Sequence, residues 1–379
     1  MVQEAGTYRL VMAAIILAVT AVSGSAEIRY NVTNLGTLYD PATAARTWAE
    51  DLNDNHYVVG GCQKLGPPSG DLVAFIYRGG VMSSLGGLGG DDYEATAINL
   101  GGTVTGWGED PAGDDTTFLW TDPGPMTDIG DPDYETTGEG INDAGYVVAS
   151  YGPHAGLYKA GTWYGLGTLP GGLQSDAKDI NNSDLMVGWS HDAGLNLRAA
   201  IFTGPGDPVQ DLGTLTGGAQ SWCAAVNDKG LIVGSSEVIP PGLASTTWHA
   251  FLYDSDGATP MQDLGALAAG LCASGANDIN EAGLIVGSSD TAPLGDPTAE
   301  EHAVIWDASG NIEDLNTLID PALGYLLEEA MAINDVGSIV CNGYDELGQE
   351  RAFLLIVPEP ATLALLTLGG LALAVRQRR

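Results

Sequence analysis

A short phrase recurs seven times in this sequence, and the repeat constrains the fold more than any other feature. In each copy an aliphatic residue precedes an asparagine, and the side chain four residues before the asparagine is small. Successive copies lie 39 to 54 residues apart, a period typical of propeller blades and solenoid repeats. The seven asparagines are Asn53, Asn99, Asn142, Asn181, Asn227, Asn280 and Asn334.

Each repeat contains four short β-rich segments separated by turn residues. The asparagine ends the first segment, and four copies continue it as NDAG, NDKG, NEAG or NDVG. These are hairpin turns, because Asn and Asp bond their own backbone and Gly adopts a positive φ. His56 and Asp184 occupy the glycine position in two copies. Only the two chain ends show a sustained helical pattern, so the middle is predicted to be all-β.

Four strands in each of seven repeats predict a seven-bladed β-propeller with four-stranded blades. The last repeat stops after its third strand, RAFLLIV, whereas an extra strand, NVTNLGTL, precedes the first repeat. We expect this N-terminal strand to complete the last blade and so to remove the exposed edges. We expect the first strand of each repeat to be innermost, where crowding at the axis requires a small residue. A solenoid or a split β-domain is the alternative.

The chain ends predict export. Residues 10–22 are apolar and SGSA follows, which favours a cleaved signal helix over residues 1–26; a first transmembrane helix is the alternative. The apolar residues 361–375 would form a helix of about 22 Å, shorter than a bilayer core. The predicted domains are therefore the signal peptide at 1–26, the propeller at 27–357 and a sorting or transmembrane tail at 358–379.

The C-terminal tail resembles the PEP-CTERM sorting signal of Gram-negative bacteria. Pro358, Glu359 and Pro360 precede the apolar run, and Arg376, Arg378 and Arg379 close the chain. The resemblance implies processing by an exosortase-type enzyme, transient association with the inner membrane, and a cell-surface or extracellular destination.

The repeats resemble the HAF-type extracellular repeat over residues 28–357. His249, Ala250 and Phe251 carry the full motif, and His154 and His302 keep its first two letters. This resemblance also implies an extracellular address. A histidine at equivalent places in several blades is architectural, because blade geometry holds such residues far apart, so we expect no metal there.

Charge and cysteine content narrow the range of partners. The chain has 13 basic and 49 acidic residues, and such a surface repels nucleic acid. Export permits disulfides, and ring closure would bring Cys62 near Cys341, while Cys223 and Cys272 fall in adjacent repeats. These are the two possible pairings, and small buried thiols are the competing interpretation.

Three aspartates are the candidate catalytic residues. Asp51, Asp179 and Asp278 lie two residues before the repeated asparagine and could approach the axis as an acid and a base. The competing interpretation is that each bonds to a neighbouring turn or blade. Acidic loops such as GEDPAGDDT could bind a structural Ca²⁺ but lack EF-hand spacing.

The sequence thus favours an exported, non-enzymatic propeller without a cofactor that acts as a binding or structural module. Its expected partners are the processing enzyme and extracellular polysaccharide or matrix proteins. A polysaccharide-acting hydrolase or lyase and a Ca²⁺-dependent adhesin are the alternatives.

Overall fold

The computed structural model describes residues 29–39, 45–65, 70–257 and 259–358. The predicted signal helix and the predicted C-terminal helix lie outside these residues. Among the described residues, no helix has the length and apolar character needed to cross a membrane.

Seven four-stranded antiparallel sheets form a β-propeller, as the repeat predicts. From the innermost strand outward, the first blade consists of β2 Ala45–Leu52, β3 Val58–Lys64, β4 Leu72–Arg78 and β5 Val81–Ser84, and the second of β6 Tyr93–Ile98, β7 Val104–Glu109, β8 Asp115–Trp120 and β9 Thr127–Asp128. The third blade consists of β10 Thr136–Ile141, β11 Val147–Tyr151, β12 His154–Lys159 and β13 Thr162–Gly167, and the fourth of β14 Ser175–Ile180, β15 Met186–His191, β16 Leu197–Phe202 and β17 Gln210–Asp211.

The strands of the last three blades follow the same order. They are β18 Gly217–Val226, β19 Leu231–Val238, β20 Thr247–Asp254 and β21 Gln262–Asp263; β22 Ser274–Ile279, β23 Ile285–Asp290, β24 Glu301–Trp306 and β25 Ile312–Asp314; β26 Leu326–Ile333, β27 Ile339–Tyr344, β28 Glu350–Ile356 and β1 Asn31–Asn34. Two short 3-10 turns, Leu315–Thr317 and Pro321–Leu323, connect the sixth and seventh blades.

The N-terminal strand closes the ring, as predicted. β1 pairs antiparallel with β28, so that Asn31 lies opposite Ile356 and Asn34 lies opposite Phe353. Tyr30 and Leu35, which flank β1, are buried. The last blade is therefore built from both ends of the chain, and the outer edge of β28 is paired rather than open.

The hydrophobic core is divided into clusters that lie mostly between neighbouring blades. One cluster joins Ala49 and Phe75 of the first blade to Val340 and Leu354 of the seventh. The small residue four positions before each asparagine belongs to this packing. Ala49 also exchanges two backbone hydrogen bonds with the Asn342 side chain of the adjacent blade, at 2.8 and 3.0 Å. At the matching position of the third blade, a Cβ on Gly138 would lie 2.8 Å from side-chain atoms of Thr105 and Thr117 in the second blade. The neighbouring blade therefore limits the size of this residue, and the expectation of crowding at the axis is wrong.

Every innermost strand carries a β-bulge at the same place. The register shifts between the small residue and the residue two positions later in all seven blades. The residue between them is the extra one, and a bulge redirects the side chains around it. In the first, third and fourth blades this residue is Glu50, Glu139 and Lys178, so the bulge supplies charged groups to the channel described below.

Candidate functional site: the central channel and its two mouths

The seven repeated asparagines surround one end of the central channel. Each is buried, and its Nδ2 donates to the backbone carbonyl of the corresponding asparagine in the next blade at 2.9–3.3 Å. The seventh bond runs from Asn334 to the Asn53 carbonyl, which completes the circle. The Oδ1 atoms cap the turns; for example, Asn181 accepts from the Ser183 and Leu185 amides. The asparagine thus recurs from blade to blade because its Oδ1 stabilises its own turn while its Nδ2 bonds that turn to the next blade.

The turns adopt the conformation that the sequence predicts. The third residue after each asparagine has a positive φ in all seven blades, including the two without glycine, where φ is 57° at His56 and 63° at Asp184.

A second, incomplete ring surrounds this mouth of the channel. The residue after each asparagine donates its backbone N–H to the side chain of the matching residue in the next blade, at 2.6–3.0 Å, in six of seven cases. The missing bond falls between Asp54 and Leu100, because leucine has no acceptor. A cavity of about 240 Å³ lies within the rim. The rim residues are Asp54, Leu100, Asp143, Asn182, Asp228, Glu281 and Asp335.

The three predicted aspartates link blades to one another. Asp51 accepts from the Leu52 and Ile98 amides, Asp179 from the Ile180 and Val226 amides, and Asp278 from the Ile279 and Ile333 amides, all at 2.7–2.8 Å. Both oxygens of each carboxyl therefore bond to backbone, one to its own strand and one to the next blade. This arrangement agrees with the structural interpretation, and a catalytic role for these residues stays a prediction.

Burial raises the pKa of all three carboxyls. The pKa rises to about 8 for Asp51, about 6 for Asp179 and about 7 for Asp278. Desolvation is the largest cause; the bonded amides oppose it, and for Asp51 the charges of Asp278 and Asp179 add to it. The structure thus brings these three groups into one electrostatic environment although each is bonded to a different pair of blades.

A cluster of channel carboxyls that the sequence interpretation missed lies farther along the innermost strands. Burial raises the pKa of Glu50 well above its ordinary value, and the like charges of Glu94, Glu329 and Glu139 raise it further. These residues lie on the innermost strands of four consecutive blades of the ring, namely blades seven, one, two and three, and so they belong to the same side of the channel. The signal that could have found them is their position, three or five residues before the repeated asparagine.

One lysine balances part of this charge. Lys178 Nζ lies 3.0 Å from Glu139 and 2.9 Å from Asp176. Burial lowers the pKa of Lys178, but the two carboxylates outweigh it and hold the pKa above its ordinary value. Burial has the opposite effect on the pKa of Glu139, which it raises to about 7 although the charge of Lys178 lowers it. Glu94 is held differently, since the indole N–H groups of Trp48 and Trp107 each donate to one of its oxygens.

A second cavity of about 240 Å³ lies beside the channel, at the end of the innermost strands away from the asparagine turns. The side chains of Trp222 and Trp248 form one wall, with ring centroids 4.5 Å apart and an angle of 42° between the planes. Both rings are only half-buried. Asp290, Glu301 and Glu329 also line the cavity, together with an amide and several hydroxyls. We call it the tryptophan pocket.

The predicted disulfides are not formed, and that expectation is wrong. All four cysteines are free and buried. Cys62 and Cys341 belong to different interblade clusters, with Cys62 at the junction of blades seven and one and Cys341 at the junction of blades six and seven. Cys62 instead contacts the Thr37 and Thr47 hydroxyls. Cys223 lies in the cluster between blades four and five, and Cys272 contacts the Ala269 carbonyl.

The remaining candidates have local roles or lie outside the described residues. His249 and His302 bond through Nδ1 to Asp263 and Asp314 on the outermost strands of their own blades, each at 2.8 Å. Within the described ranges, no group of three or more His, Cys, Asp or Glu side chains is arranged to hold a metal ion. Of the predicted sorting residues, Pro358 is described and exposed; Glu359, Pro360, Arg376, Arg378 and Arg379 lie outside the described residues.

The fold and the chain end together define an exported β-propeller. Residues 357–379 match the PEP-CTERM protein-sorting motif, which implies processing by an exosortase-type enzyme and export to the cell envelope or surface. Residues 213–352 match a family described as a protein of unknown function (DUF3466). No match was found among curated proteins.

Solved structures align with this chain at low sequence identity. A prolyl endopeptidase aligns with a TM-score of 0.51 and 13% identity, over 80% of this chain and 47% of its own. TolB from Acinetobacter baumannii aligns with a TM-score of 0.43 and 10% identity, over 67% of this chain and 62% of its own. A putative TolB from Agrobacterium tumefaciens aligns with a TM-score of 0.41 and 10% identity, over 87% of this chain and 98% of its own. The chain thus spans about three fifths of the first TolB and about half of the endopeptidase.

Proposed function

We propose that this protein is an exported carbohydrate-binding module that works at the cell surface or in the extracellular matrix after its C-terminal tail is processed. The tryptophan pocket is the observation that carries the proposal. Half-buried aromatic faces beside convergent polar groups are the usual make-up of a small-ligand site. A sugar ring offers a flat apolar face to an indole ring and hydroxyls to the Ser, Asn and carboxyl groups around it.

The mouth that the asparagines surround suits a structural role rather than a binding role. Its asparagines and most of its rim side chains bond to a neighbouring blade, so few of their polar groups are left for a ligand. The tryptophan pocket differs in this respect, which is why we place binding there. Membrane attachment before processing and the likeness of the repeats to HAF-type repeats remain part of this proposal.

The experiment is a binding survey of the purified full-length chain on immobilised oligosaccharides, followed by titration calorimetry on any ligand found. Trp248→Ala should abolish binding, because it removes half of the aromatic wall. Trp163→Ala is the matched control, since Trp163 stacks on Tyr151 in another blade at a centroid distance of 5.5 Å. Binding that survives Trp248→Ala, or no binding to any carbohydrate, would refute the proposal.

A polysaccharide-acting enzyme is the second candidate, favoured by the channel carboxyls. Carboxyls with raised pKa values that converge in one channel are a recurrent feature of acid–base sites. Glu50 and Glu139 are better placed for this than the predicted Asp51, Asp179 and Asp278, whose oxygens are all bonded to backbone. Release of reducing ends from oligosaccharides, lost in Glu50→Gln and in Glu139→Gln, would support it; no release by the unaltered chain would exclude it for those substrates.

A further inference from the structure

The polar groups of the tryptophan pocket include more hydrogen-bond acceptors than free donors, and this excess indicates the charge of its ligand. Asn277 Nδ2 donates to Glu329 Oε1 at 2.9 Å and to the Ala330 carbonyl at 3.1 Å, so both amide hydrogens are used. The Ser288 hydroxyl donates to Glu301 Oε1 at 2.6 Å. Asp290 Oδ2 accepts from the Ala273 amide at 2.9 Å. Several of the pocket's donors are therefore already bonded to its own acceptors.

Each of the three carboxylates keeps one oxygen without a partner among the described residues. These are the second oxygens of Glu329, Glu301 and Asp290. A carboxylate accepts at both oxygens, so each of these second oxygens is open to a donor. Glu329, Glu301 and Asp290 line one cavity with Trp222 and Trp248.

Among the described residues, no basic side chain lines the pocket. Lys178, in the nearby channel, is engaged by Glu139 and Asp176. Burial raises the pKa of Glu329, and the charge of Glu301 raises it further. A cation placed between the carboxylates would relieve this repulsion, and the faces of the indole rings also attract cations.

We propose that the tryptophan pocket binds an amine-bearing sugar, in which a protonated amino group donates to the free carboxylate oxygens while the ring lies against Trp222 or Trp248. This inference rests on the proposed function and names its ligand class. An ammonium group only donates hydrogen bonds, which suits a cavity lined by three carboxylates and, among the described residues, by no basic side chain. Ser235 also lines the cavity, and its hydroxyl can bond to a hydroxyl of a sugar ring, a group that a lysine side chain lacks.

The same chemistry excludes other carbohydrates. A uronic acid or a sulfated sugar would bring a negative charge to three carboxylates. An N-acetylated amino sugar would present a neutral amide with one hydrogen in place of three. The pocket is therefore expected to separate free amines from acetylated amines, although the two sugars share the same ring.

The test is titration calorimetry of the purified full-length chain at pH 6 with four probes. They are a glucosamine hexamer, the same hexamer fully N-acetylated, a neutral glucose hexamer, and a lysine hexapeptide. The glucosamine hexamer should bind, and the acetylated and glucose hexamers should bind at least tenfold more weakly. Glu329→Gln and Glu301→Gln should each weaken glucosamine binding about tenfold, with the Asn277 and Ser288 bonds kept. Asp133→Asn, which removes an exposed carboxylate from another blade, is the control and should leave binding unchanged.

The outcomes separate this inference from the proposed function. Equal binding of glucose or acetylated hexamers, lost in Trp248→Ala, would overturn the amine inference and leave carbohydrate binding intact. Lysine hexapeptide binding that equals or exceeds glucosamine binding would overturn both in favour of a cationic peptide. Equal weakening by Asp133→Asn and Glu329→Gln would show attraction to the acidic surface as a whole and would also overturn the inference. Absence of binding to all four probes would refute it outright.

Discussion

The asparagine circle makes a specific prediction about Asn181→Asp. Asn181 donates from Nδ2 to the Asn227 carbonyl at 2.9 Å and accepts at Oδ1 from the Ser183 and Leu185 amides at 2.9 and 3.0 Å. The substitution keeps the shape and the Oδ1 acceptor, so the turn is preserved. It replaces the donor by an oxygen, which then faces another oxygen in a buried position.

The expected cost can be worked from these contacts. Loss of one hydrogen bond costs about 1 kcal/mol, and a buried carbonyl without a donor costs about 1–3 kcal/mol more. Desolvation of the new charge adds to this, so we expect a loss of about 3–5 kcal/mol at pH 8. Burial raises the pKa of the new carboxyl in the folded state. The penalty is therefore absent when the group is protonated in both states, and it grows as pH rises from the unfolded pKa to the folded pKa. At pH 5 the protonated oxygen can donate to Asn227 again, and most of the loss should disappear.

The assay is urea unfolding followed by tryptophan fluorescence, with mutant and unaltered chain compared at pH 5 and at pH 8. Asn55→Asp is the matched control, because exposed Asn55 donates to the next blade's Leu100 carbonyl at 3.3 Å, and its loss should be below about 0.5 kcal/mol. Two results would refute the reasoning: a stability at pH 8 equal to that of the unaltered chain, or the same loss at both pH values.

Three further predictions concern the ring and its channel. The free energy of unfolding of the unaltered chain should fall by at least about 2 kcal/mol between pH 5 and pH 8. The reason is that the pKa values of Asp51, Asp278 and Asp179 are higher in the folded chain than in the unfolded chain, and a tenfold difference in proton affinity between the two states is worth about 1.4 kcal/mol. Urea unfolding midpoints across this pH range measure the change, and a rise in stability would contradict the prediction. Deletion of residues 29–35 should lower stability by more than about 4 kcal/mol, since it removes buried Tyr30 and Leu35 and the pairing with β28; a deletion after Pro358 is the control and should change the unfolding midpoint little. Thiol labelling should be slow for all four cysteines in the native state and complete in urea, because each is buried and free; no labelling in urea without reductant would indicate disulfides instead.

Most of the architecture can be predicted from the local sequence pattern. Seven asparagine phrases, glycine-rich turns and an extra strand before the first repeat predict the number of blades, the number of strands and the closure. The same pattern predicts backbone conformation at His56 and Asp184, where no glycine is present but φ is still positive. These features depend on residues close in sequence or on the count of repeats, and both can be read without knowing distances.

The functional surface could not be predicted in the same way. Asp51, Asp179 and Asp278 stand out as repeated carboxyls, yet their oxygens are bonded to two blades. The tryptophan pocket combines Trp222, Trp248 and Glu329 from the fifth and seventh blades with residues of the sixth between them. Such residues are far apart along the chain, and no local signal marks them as neighbours. The disulfide prediction failed for a related reason, because adjacent blades do not imply that two side chains enter the same interface.

The sequence by itself determined that this chain is a closed seven-bladed ring with a sorting motif at its end, because repeat period, turn chemistry and a terminal address are local properties. Only the tertiary structure decided what the repeated residues do. It shows that the asparagines bond neighbouring blades together, that the small residues fit the neighbouring blade, and that a bulge directs Glu50, Glu139 and Lys178 to the channel. It also brings three carboxylates and two indole rings into one pocket, since the partners of a side chain depend on how the blades pack around the axis.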